Sequence, residues 1–162
     1  MLIATKSSKL DISRLETTKK FADIFSKNIF KGDIILFYGE VGVGKTTFIK
    51  FLINSLLKKE KKDISEITSP TFSLMNQYKL NKYEIHHYDL YRLNNEKDVL
   101  SLNIFEDFSN KVTLIEWPEI LDKLKPKNTI DINFEYGENF NSRYLTISAF
   151  DKLKIFDEFK SL

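Results

Sequence analysis

The chain has 162 residues, with 25 lysines and arginines against 23 aspartates and glutamates, so its formal net charge is only +2. Such an even balance of positive and negative charges neither requires nor excludes contact with RNA. The absence of cysteine excludes disulfides, thiolate zinc sites and a thiol nucleophile. The length suits one domain over residues 1–162, and no apolar stretch is long enough to cross a membrane. We therefore expect a cytoplasmic protein without a membrane segment.

The first elements predicted along the chain lead into a buried strand and a helix. Leu2 to Thr5 has the composition of a short strand, and Ser13 to Glu16 has the S-x-x-E form of a capping box that opens a helix toward Asn28. Ile34 to Tyr38 is a continuous apolar run, which favours a buried parallel strand. After Thr46, apolar residues recur at i, i+4 spacing, which is typical of an amphipathic helix.

The second half of the chain alternates further strands and helices. The predicted elements in chain order are strands over Leu74 to Leu80 and Tyr83 to Leu90, short helices from Glu96 to Phe108, a buried strand at Val112 to Ile115, and a C-terminal hairpin of Ile130 to Phe134 and Leu145 to Ala149. Apolar and polar residues alternate in both hairpin strands. The pattern predicts an α/β fold with a central mixed, mostly parallel sheet flanked by helices.

The run from Gly39 to Thr46, Gly-Glu-Val-Gly-Val-Gly-Lys-Thr, matches the phosphate-binding pattern G-x-x-x-x-G-K-[ST] at every fixed position. Small residues let backbone N–H groups converge on phosphate oxygens, and the following helix presents its positive end to them. Lys45 is expected to reach the β/γ-phosphates and Thr46 to place its hydroxyl on Mg²⁺. The sequence therefore predicts a P-loop NTPase fold that binds a nucleotide.

Two acidic residues at strand ends compete for the metal side of this loop. A phosphate loop needs an acid on a neighbouring strand that holds Mg²⁺ or orients the attacking water. Glu116 follows the buried strand at Val112 to Ile115, and Asp89 ends the strand that contains His86 and His87. The two histidines are adjacent, so on a strand they face opposite sides and cannot form a metal pair. The residues alone do not choose between Glu116 and Asp89.

Four blocks of sequence together point to one family. In order and spacing, the chain resembles the bacterial TsaE (YjeE) family through GEVGVGKTTF from Gly39, SPTFSL from Ser69, HYDLYRL from His87 and LIEWPE from Leu114. The resemblance implies a Mg²⁺-dependent ATPase, with ATP or ADP as its nucleotide, that supports formation of N6-threonylcarbamoyladenosine next to the anticodon of tRNA. It implies TsaD and TsaB as partners. Because the charge balance is so even, we expect contact with tRNA to lie mostly on those partners.

The resemblance also assigns roles to individual residues. It makes Thr46 and Glu116 the magnesium ligands, and it gives Asp89 a second acidic position suited to orient water or reach Mg²⁺ indirectly. Arg92, three residues later, could pair with Asp89. The expected catalytic set is Lys45, Asp89 and Glu116. The expected nucleotide contacts are Glu40, Val41, Gly42, Val43, Gly44, Lys45, Thr46, Thr47, Thr71, Trp117 and Glu119.

Several of these residues keep a purely structural alternative. Thr71 offers a hydroxyl near the γ-phosphate, but the segment from Ser69 to Phe72 is also typical of a plain turn. Trp117 follows a candidate metal ligand and is equally typical of an aromatic packed beside a strand end. Glu119 either reaches the nucleotide or caps a following turn. In the family the segment corresponding to Ser13 to Thr17 approaches the adenine, but its sequence here is generic.

Two other functions also use a phosphate loop. A small-molecule or nucleoside kinase usually brings several basic residues over the phosphates on a lid, whereas this chain has only Arg14, Arg92 and Arg143 as arginines and no evident lid segment. A non-hydrolysing, nucleotide-dependent binding module would hold ATP and change only its affinity for a partner. Hydrolysis by the isolated chain is expected to be slow, since a small domain without an arginine finger lacks part of the usual charge stabilisation.

Overall fold

The computed structural model of the protein describes residues 5–6, 9–62 and 66–149. Within these ranges the strands are β1 (Thr5–Lys6), β2 (Leu10–Asp11), β3 (Ile34–Tyr38), β4 (Met75–Lys79), β5 (Glu84–Asp89), β6 (Lys111–Glu116), β7 (Ile130–Tyr136) and β8 (Arg143–Ala149). The helices are α1 (Leu15–Ser26), α2 (Lys45–Lys59) and α3 (Glu96–Ser101). Two 3₁₀ segments, Phe108–Asn110 and Pro118–Leu124, lie before and after β6.

The described strands form one mixed sheet. Their order is β1-β8-β7-β3-β6-β5-β4, and β2 also pairs with β8. The four central strands β7, β3, β6 and β5 run parallel, whereas β8 and β4 join them antiparallel at the two sides. The predicted mixed sheet is thus confirmed, and its parallel part is the central four strands. Parallel strands end at one edge of the sheet, so the loops after β3, β5 and β6 lie together there.

Strand β3 lies between two apolar cores. Ile35 and Phe37 belong to the core under α1 and α2, whereas Ile34 and Leu36 face the core that contains α3 and the second 3₁₀ segment. All four side chains are buried. A strand covered on both faces needs apolar residues at every position, which is why the continuous apolar run correctly predicted a buried parallel strand.

Phe48 anchors the helix that follows the phosphate loop. Its ring is fully buried, and its centroid lies 6.0 Å from that of Phe25, 6.3 Å from Phe37 and 5.8 Å from Phe134. These rings belong to α1, β3 and β7, so one aromatic cluster joins α2 to three other elements. The first turn of α2, which carries the residues expected to bind phosphate, is therefore held against the sheet.

The start of α1 differs from the prediction. The predicted capping box from Ser13 to Glu16 is wrong, because α1 begins at Leu15, its N-cap residue is Arg14, and no side chain caps it. Ser13 instead donates its hydroxyl to Asp11 Oδ1 at 2.6 Å and its backbone N–H to the same atom at 2.8 Å. Asp11 thus takes the Ser13 N–H that Glu16 would have accepted in the cap, and Ser13 Oγ accepts the backbone N–H of Arg143 instead of one from the first turn of α1.

The other predicted elements are confirmed with small changes at their ends. Both hairpin strands, β4, β5 and β6 form where predicted, to within two residues. The helical stretch predicted from Glu96 to Phe108 is shorter, since α3 ends at Ser101 and turns follow. The strand predicted over Leu2 to Thr5 lies outside the described residues except for Thr5, the first residue of β1. None of the described helices combines the length and apolar character needed to span a membrane.

Candidate functional site

The turn between β3 and α2 has the backbone conformation of a phosphate-binding loop. Gly39 has φ +134°, and a Cβ atom there would lie 2.6 Å from the carbonyl oxygen of Phe134. Gly44 has φ +118° and directly precedes α2. Glycine alone adopts such conformations without strain, so both positions require it. The strand, loop and helix that the motif needs are all present, and α2 begins at Lys45, directly after the loop, so the positive end of its dipole lies at the loop.

Lys45 folds back over this loop. Its Nζ donates hydrogen bonds to the carbonyl oxygens of Gly39 at 2.6 Å and Glu40 at 2.9 Å. The same atom lies 3.8 Å from the centroid of the Trp117 ring, in a cation–π contact. Burial lowers the pKa of Lys45 below its ordinary value, and the carboxylate of Glu116 opposes that shift. The loop therefore holds a partly desolvated ammonium group on its inner side.

Thr46 and Glu116 meet although 70 residues separate them in the sequence. The Thr46 hydroxyl donates to Glu116 Oε2 at 2.8 Å. The other carboxylate oxygen, Oε1, lies 2.9 Å from Nε2 of His87. Glu116 is 2% exposed and His87 is fully buried, so this carboxylate is held almost completely away from water. The structure thus brings together the two residues expected to bind magnesium.

Asp89 ends β5 beside this group and is also buried. Its Oδ2 accepts hydrogen bonds from the hydroxyls of Ser69 at 3.1 Å and Thr71 at 2.6 Å. Its Oδ1 accepts the backbone N–H of Tyr91 at 3.0 Å. The segment from Ser69 to Phe72 is therefore a turn that is fastened to Asp89, and its Thr71 hydroxyl reaches the site.

Arg92 does not pair with Asp89. Its guanidinium lies 5.2 Å from the ring centroid of Phe72, and no ion pair joins it to Asp89. The predicted pair is wrong because the Arg92 side chain is exposed and its guanidinium packs on Phe72, while Asp89 is buried and accepts its hydrogen bonds from Ser69, Thr71 and Tyr91. Phe72, which carries Arg92 on its ring, is 88% exposed.

Trp117 directly follows β6 in the left-handed conformation, with φ +58°. That conformation costs a non-glycine residue about 1–3 kcal/mol, and such strain clusters at functional sites. The Trp117 ring packs on Tyr91, with 4.8 Å between centroids, and contacts the Lys45 ammonium group. The residue is therefore packed beside a strand end and beside the phosphate loop at once.

These side chains line a cleft of about 320 Å³ at the edge of the sheet where β3, β5 and β6 end. Of the predicted site residues, the cleft is lined by Val41, Gly42, Gly44, Lys45, Thr46, Thr47, Thr71, Asp89, Glu116 and Trp117. Sequence reasoning missed Ser69 and Tyr91, although both belong to the sequence blocks SPTFSL and HYDLYRL. Membership of those blocks was the signal that could have identified them.

Three predicted contact residues do not line this cleft. The Val43 side chain is fully buried in the core beneath the loop, which leaves only its backbone on the loop. Glu40 and Glu119 are exposed. Glu40 follows the sharp turn at Gly39. Glu119 lies on the 3₁₀ segment beyond Trp117, and its charge opposes the lowering of the Lys45 pKa by burial.

A second cleft of about 230 Å³ lies on the other side of the loop. It shares Gly42, Gly44 and Thr47 with the first, so the two form one groove across the loop. Its remaining lining comes from Ile12, Ser13, Leu15, Thr18, Val43 and Arg143. The Arg143 backbone N–H donates to Ser13 Oγ at 3.0 Å, and the Nε of Arg143 is buried without a partner among the described residues. The segment from Ser13 to Thr17 thus borders the loop.

The donor set suits a small, hard cation that arrives with its own ligands. Among the described residues, no cluster of three or more His, Cys, Asp or Glu side chains is arranged to hold a metal ion. Mg²⁺ commonly takes one or two carboxylates from a protein and its other ligands from phosphates and water. One carboxylate and one hydroxyl, as in Glu116 and Thr46, fit that behaviour.

A central parallel sheet with a glycine-rich loop and lysine between β3 and α2 defines a P-loop nucleotide-binding protein. Residues 12–145 match the family model described as threonylcarbamoyl adenosine biosynthesis protein TsaE. The chain belongs to this TsaE family.

Individual relatives agree with this assignment. The tRNA threonylcarbamoyladenosine biosynthesis protein TsaE of Rickettsia prowazekii is 36% identical over 130 residues, which cover 80% of this chain and 87% of the relative. The protein of that name from Nostoc sp. is 32% identical, over 89% of this chain and 87% of its own length. The one from Haemophilus influenzae is 30% identical, over 80% of this chain and 80% of its own length. The crystal structure of Bacillus subtilis YdiB has the same fold, with a TM-score of 0.74 at 21% identity over 99% of this chain and 98% of that one. These comparisons give no support to the kinase alternative.

Proposed function

We propose that this chain is a Mg²⁺-dependent ATPase that supports formation of N6-threonylcarbamoyladenosine in tRNA together with TsaD and TsaB. Membership of the TsaE family supports the pathway. One observation supports the chemistry: the Thr46–Glu116 pair, joined at 2.8 Å, lies in the same cleft as Lys45 and the phosphate loop. A triphosphate on the loop and a cation at the pair would then be neighbours, as catalysis with Mg-ATP requires.

The groove across the loop could hold both the phosphates and the nucleoside of one nucleotide. With phosphates on the loop and Lys45, the nucleoside would lie in the second cleft, because that cleft shares Gly42, Gly44 and Thr47 with the first. Arg143 would add a cation there, and its buried, unpartnered Nε would gain a hydrogen-bond acceptor.

The catalytic roles follow from what each oxygen already contacts. Mg²⁺ would neutralise charge on the β- and γ-phosphates, and Thr46 and Glu116 would hold it through their oxygens. Asp89 would orient the attacking water, since Ser69, Thr71 and the backbone fix its carboxylate at the same edge of the sheet. Thr71, which lines the same cleft, would then lie near the γ-phosphate.

Hydrolysis by the isolated chain should be slow. In the part of the chain that the structure describes, no arginine lines the first cleft, and Arg92 packs on Phe72 instead. Lys45 is the cation in that cleft, whereas efficient phosphoryl transfer usually uses a second positive group, worth about 10³–10⁵ in rate when it is an arginine finger. We infer that binding to TsaD and TsaB completes the charge stabilisation and that tRNA is contacted mostly by those partners.

Turnover with and without partners tests the proposal. ATP hydrolysis by the purified chain should be weak and should rise when TsaD and TsaB are added. In a reconstituted reaction supplied with threonylcarbamoyl-adenylate, the wild-type chain should sustain repeated tRNA modification and folded Lys45→Ala protein should not. If ATP binds but is never hydrolysed, even with TsaD and TsaB, the chain is a nucleotide-dependent binding module. Repeated modification with Lys45→Ala protein that cannot bind ATP would exclude any role for the nucleotide site.

A pair of substitutions separates the two acids. Glu116→Gln should weaken Mg²⁺-dependent nucleotide binding, because an amide lacks the negative charge that a hard cation prefers. Asp89→Asn should spare binding and lower turnover. Glu138→Gln, an exposed substitution in the hairpin turn, serves as the control. Titration of nucleotide with and without Mg²⁺ measures the difference, and the opposite pattern would mean that the two roles are exchanged.

A further inference from the structure

His87 is a buried histidine that touches the carboxylate expected to bind magnesium. It lies on β5, is fully buried, and has its Nε2 2.9 Å from Glu116 Oε1. Its neighbour His86 faces the other side of the strand and is paired with Glu84 at 3.2 Å. The pattern of the strand placed His86 and His87 on opposite faces, but it did not show that the His87 ring reaches Glu116.

The hydrogen-bonding of Glu116 gives its two oxygens different roles. Oε2 accepts the Thr46 hydroxyl and Oε1 accepts from His87. A carboxylate only accepts hydrogen bonds, so Nε2 of His87 is the donor in its bond to Glu116 Oε1. The opposite ring nitrogen, Nδ1, is buried and has no partner among the described residues.

Burial of His87 with an unpartnered Nδ1 destabilises the fold, and the hydrogen bond to Glu116 is what the histidine provides in return. A buried, unpartnered Nδ1 is unfavourable, and an apolar residue at this strand position would avoid it. Ile85, two residues earlier on the same face, shows that the core beside β5 accepts an apolar side chain. What a histidine offers here, and leucine would not, is an N–H donor aimed at Oε1.

We propose that His87 is a positioning residue that fixes Glu116 through Oε1 and leaves Oε2 to face the cation. The inference rests on the proposed function in one respect, namely that Glu116 binds Mg²⁺. A cation at this site would be held through the Thr46 hydroxyl oxygen and Glu116 Oε2. The bond from His87 lies on the other oxygen, so it can persist and keep the carboxylate in place. Such outer partners of a metal ligand typically contribute about 10–100-fold to metal affinity.

The test measures nucleotide binding against Mg²⁺ concentration, with the single tryptophan, Trp117, as the fluorescent reporter in the cleft. His87→Leu should raise the Mg²⁺ concentration for half-saturation by about 10–100-fold, and leave binding in the absence of Mg²⁺ unchanged. His87→Gln retains an N–H donor of similar reach, so its Mg²⁺ concentration for half-saturation should be close to the wild-type value. His86→Leu is the matched control, because it removes a histidine and its carboxylate contact from the same strand. This control should leave the Mg²⁺ dependence of nucleotide binding at its wild-type value.

A measurement on the free protein keeps His87 in place and does not depend on the folding of the His87 variants. In ¹⁵N-histidine-labelled His86→Gln protein, His87 is the remaining histidine, and its spectrum should show a slowly exchanging proton on Nε2. A proton on Nδ1 instead would overturn the proposal. So would a folded His87→Leu protein with wild-type dependence on Mg²⁺, while the proposed function survived. Wild-type protein that binds nucleotide without regard to Mg²⁺ would overturn the metal site itself, and the positioning role with it.

Discussion

Replacement of Lys45 by alanine should separate the stability of the fold from the binding of nucleotide. In the free protein the substitution removes two hydrogen bonds from an ammonium group and a cation–π contact. Each is worth about 1–3 kcal/mol, but removal also relieves the desolvation of a charge whose pKa burial lowers. The terms oppose each other, so we expect the free energy of unfolding to change by no more than about 1–2 kcal/mol.

The effect on the nucleotide-bound protein should be much larger. A ligand present at a hundred times its dissociation constant stabilises the folded state by about 2.7 kcal/mol. For a chain of 162 residues this corresponds to a rise in melting temperature of about 5–10 °C. Lys45→Ala should lose most of this rise, because it removes the ammonium group proposed to contact the phosphates.

Thermal unfolding with and without Mg-ADP measures both effects in one experiment. The ligand is added at a hundred times the wild-type dissociation constant, and circular dichroism follows the melt. Lys50→Ala is the matched control, since Lys50 is an exposed lysine on the same helix. It should keep the full nucleotide-induced rise. If Lys45→Ala protein shows the same rise as wild type, the assignment of the phosphate site is wrong.

Three substitutions test the scaffold around the loop, each by urea unfolding. Gly39→Ala should cost at least about 2 kcal/mol, because its Cβ would lie 2.6 Å from the carbonyl oxygen of Phe134; a neutral effect would mean that the loop adopts another path. Phe48→Ala should cost about 3–5 kcal/mol, since it empties the centre of the aromatic cluster, and a loss below 1 kcal/mol would contradict that packing. Tyr136→Phe should cost about 0.5–1.5 kcal/mol through the lost bond from its hydroxyl to the carbonyl of Val41 at 3.1 Å. An unchanged midpoint would show that water replaces that bond fully.

Features decided by local pattern were predictable. The apolar run of β3 needed no partner to identify it, because a strand buried on both faces is apolar throughout. The phosphate loop was equally visible, since its glycines are demanded by backbone geometry at Gly39 and Gly44. The edge of the sheet where the site lies followed from where Asp89 and Glu116 end their strands.

Features decided by sheet register were not predictable. The contact of His87 with Glu116 exists because β5 and β6 are paired so that Asp89 lies opposite Glu116. Alternation places a side chain on a face, but it does not say which side chain on the next strand it meets. The Ser13 cap and the Arg92 ion pair failed because other partners take these side chains. Asp11 and the Arg143 N–H bond to Ser13, and the Arg92 guanidinium packs on Phe72.

The pairing of β3 has a consequence for synthesis on the ribosome. The phosphate loop is complete early, but β3 pairs with β6 and β7 from far along the chain, and the Val41 carbonyl accepts the Tyr136 hydroxyl 95 residues downstream. Chains emerge from the N-terminus onward, so a nascent polypeptide carries the motif long before it carries the sheet that supports the motif. A nucleotide would therefore meet the complete loop and its supporting sheet only after residue 136 has been made, so we expect it to stabilise the finished fold rather than to guide assembly.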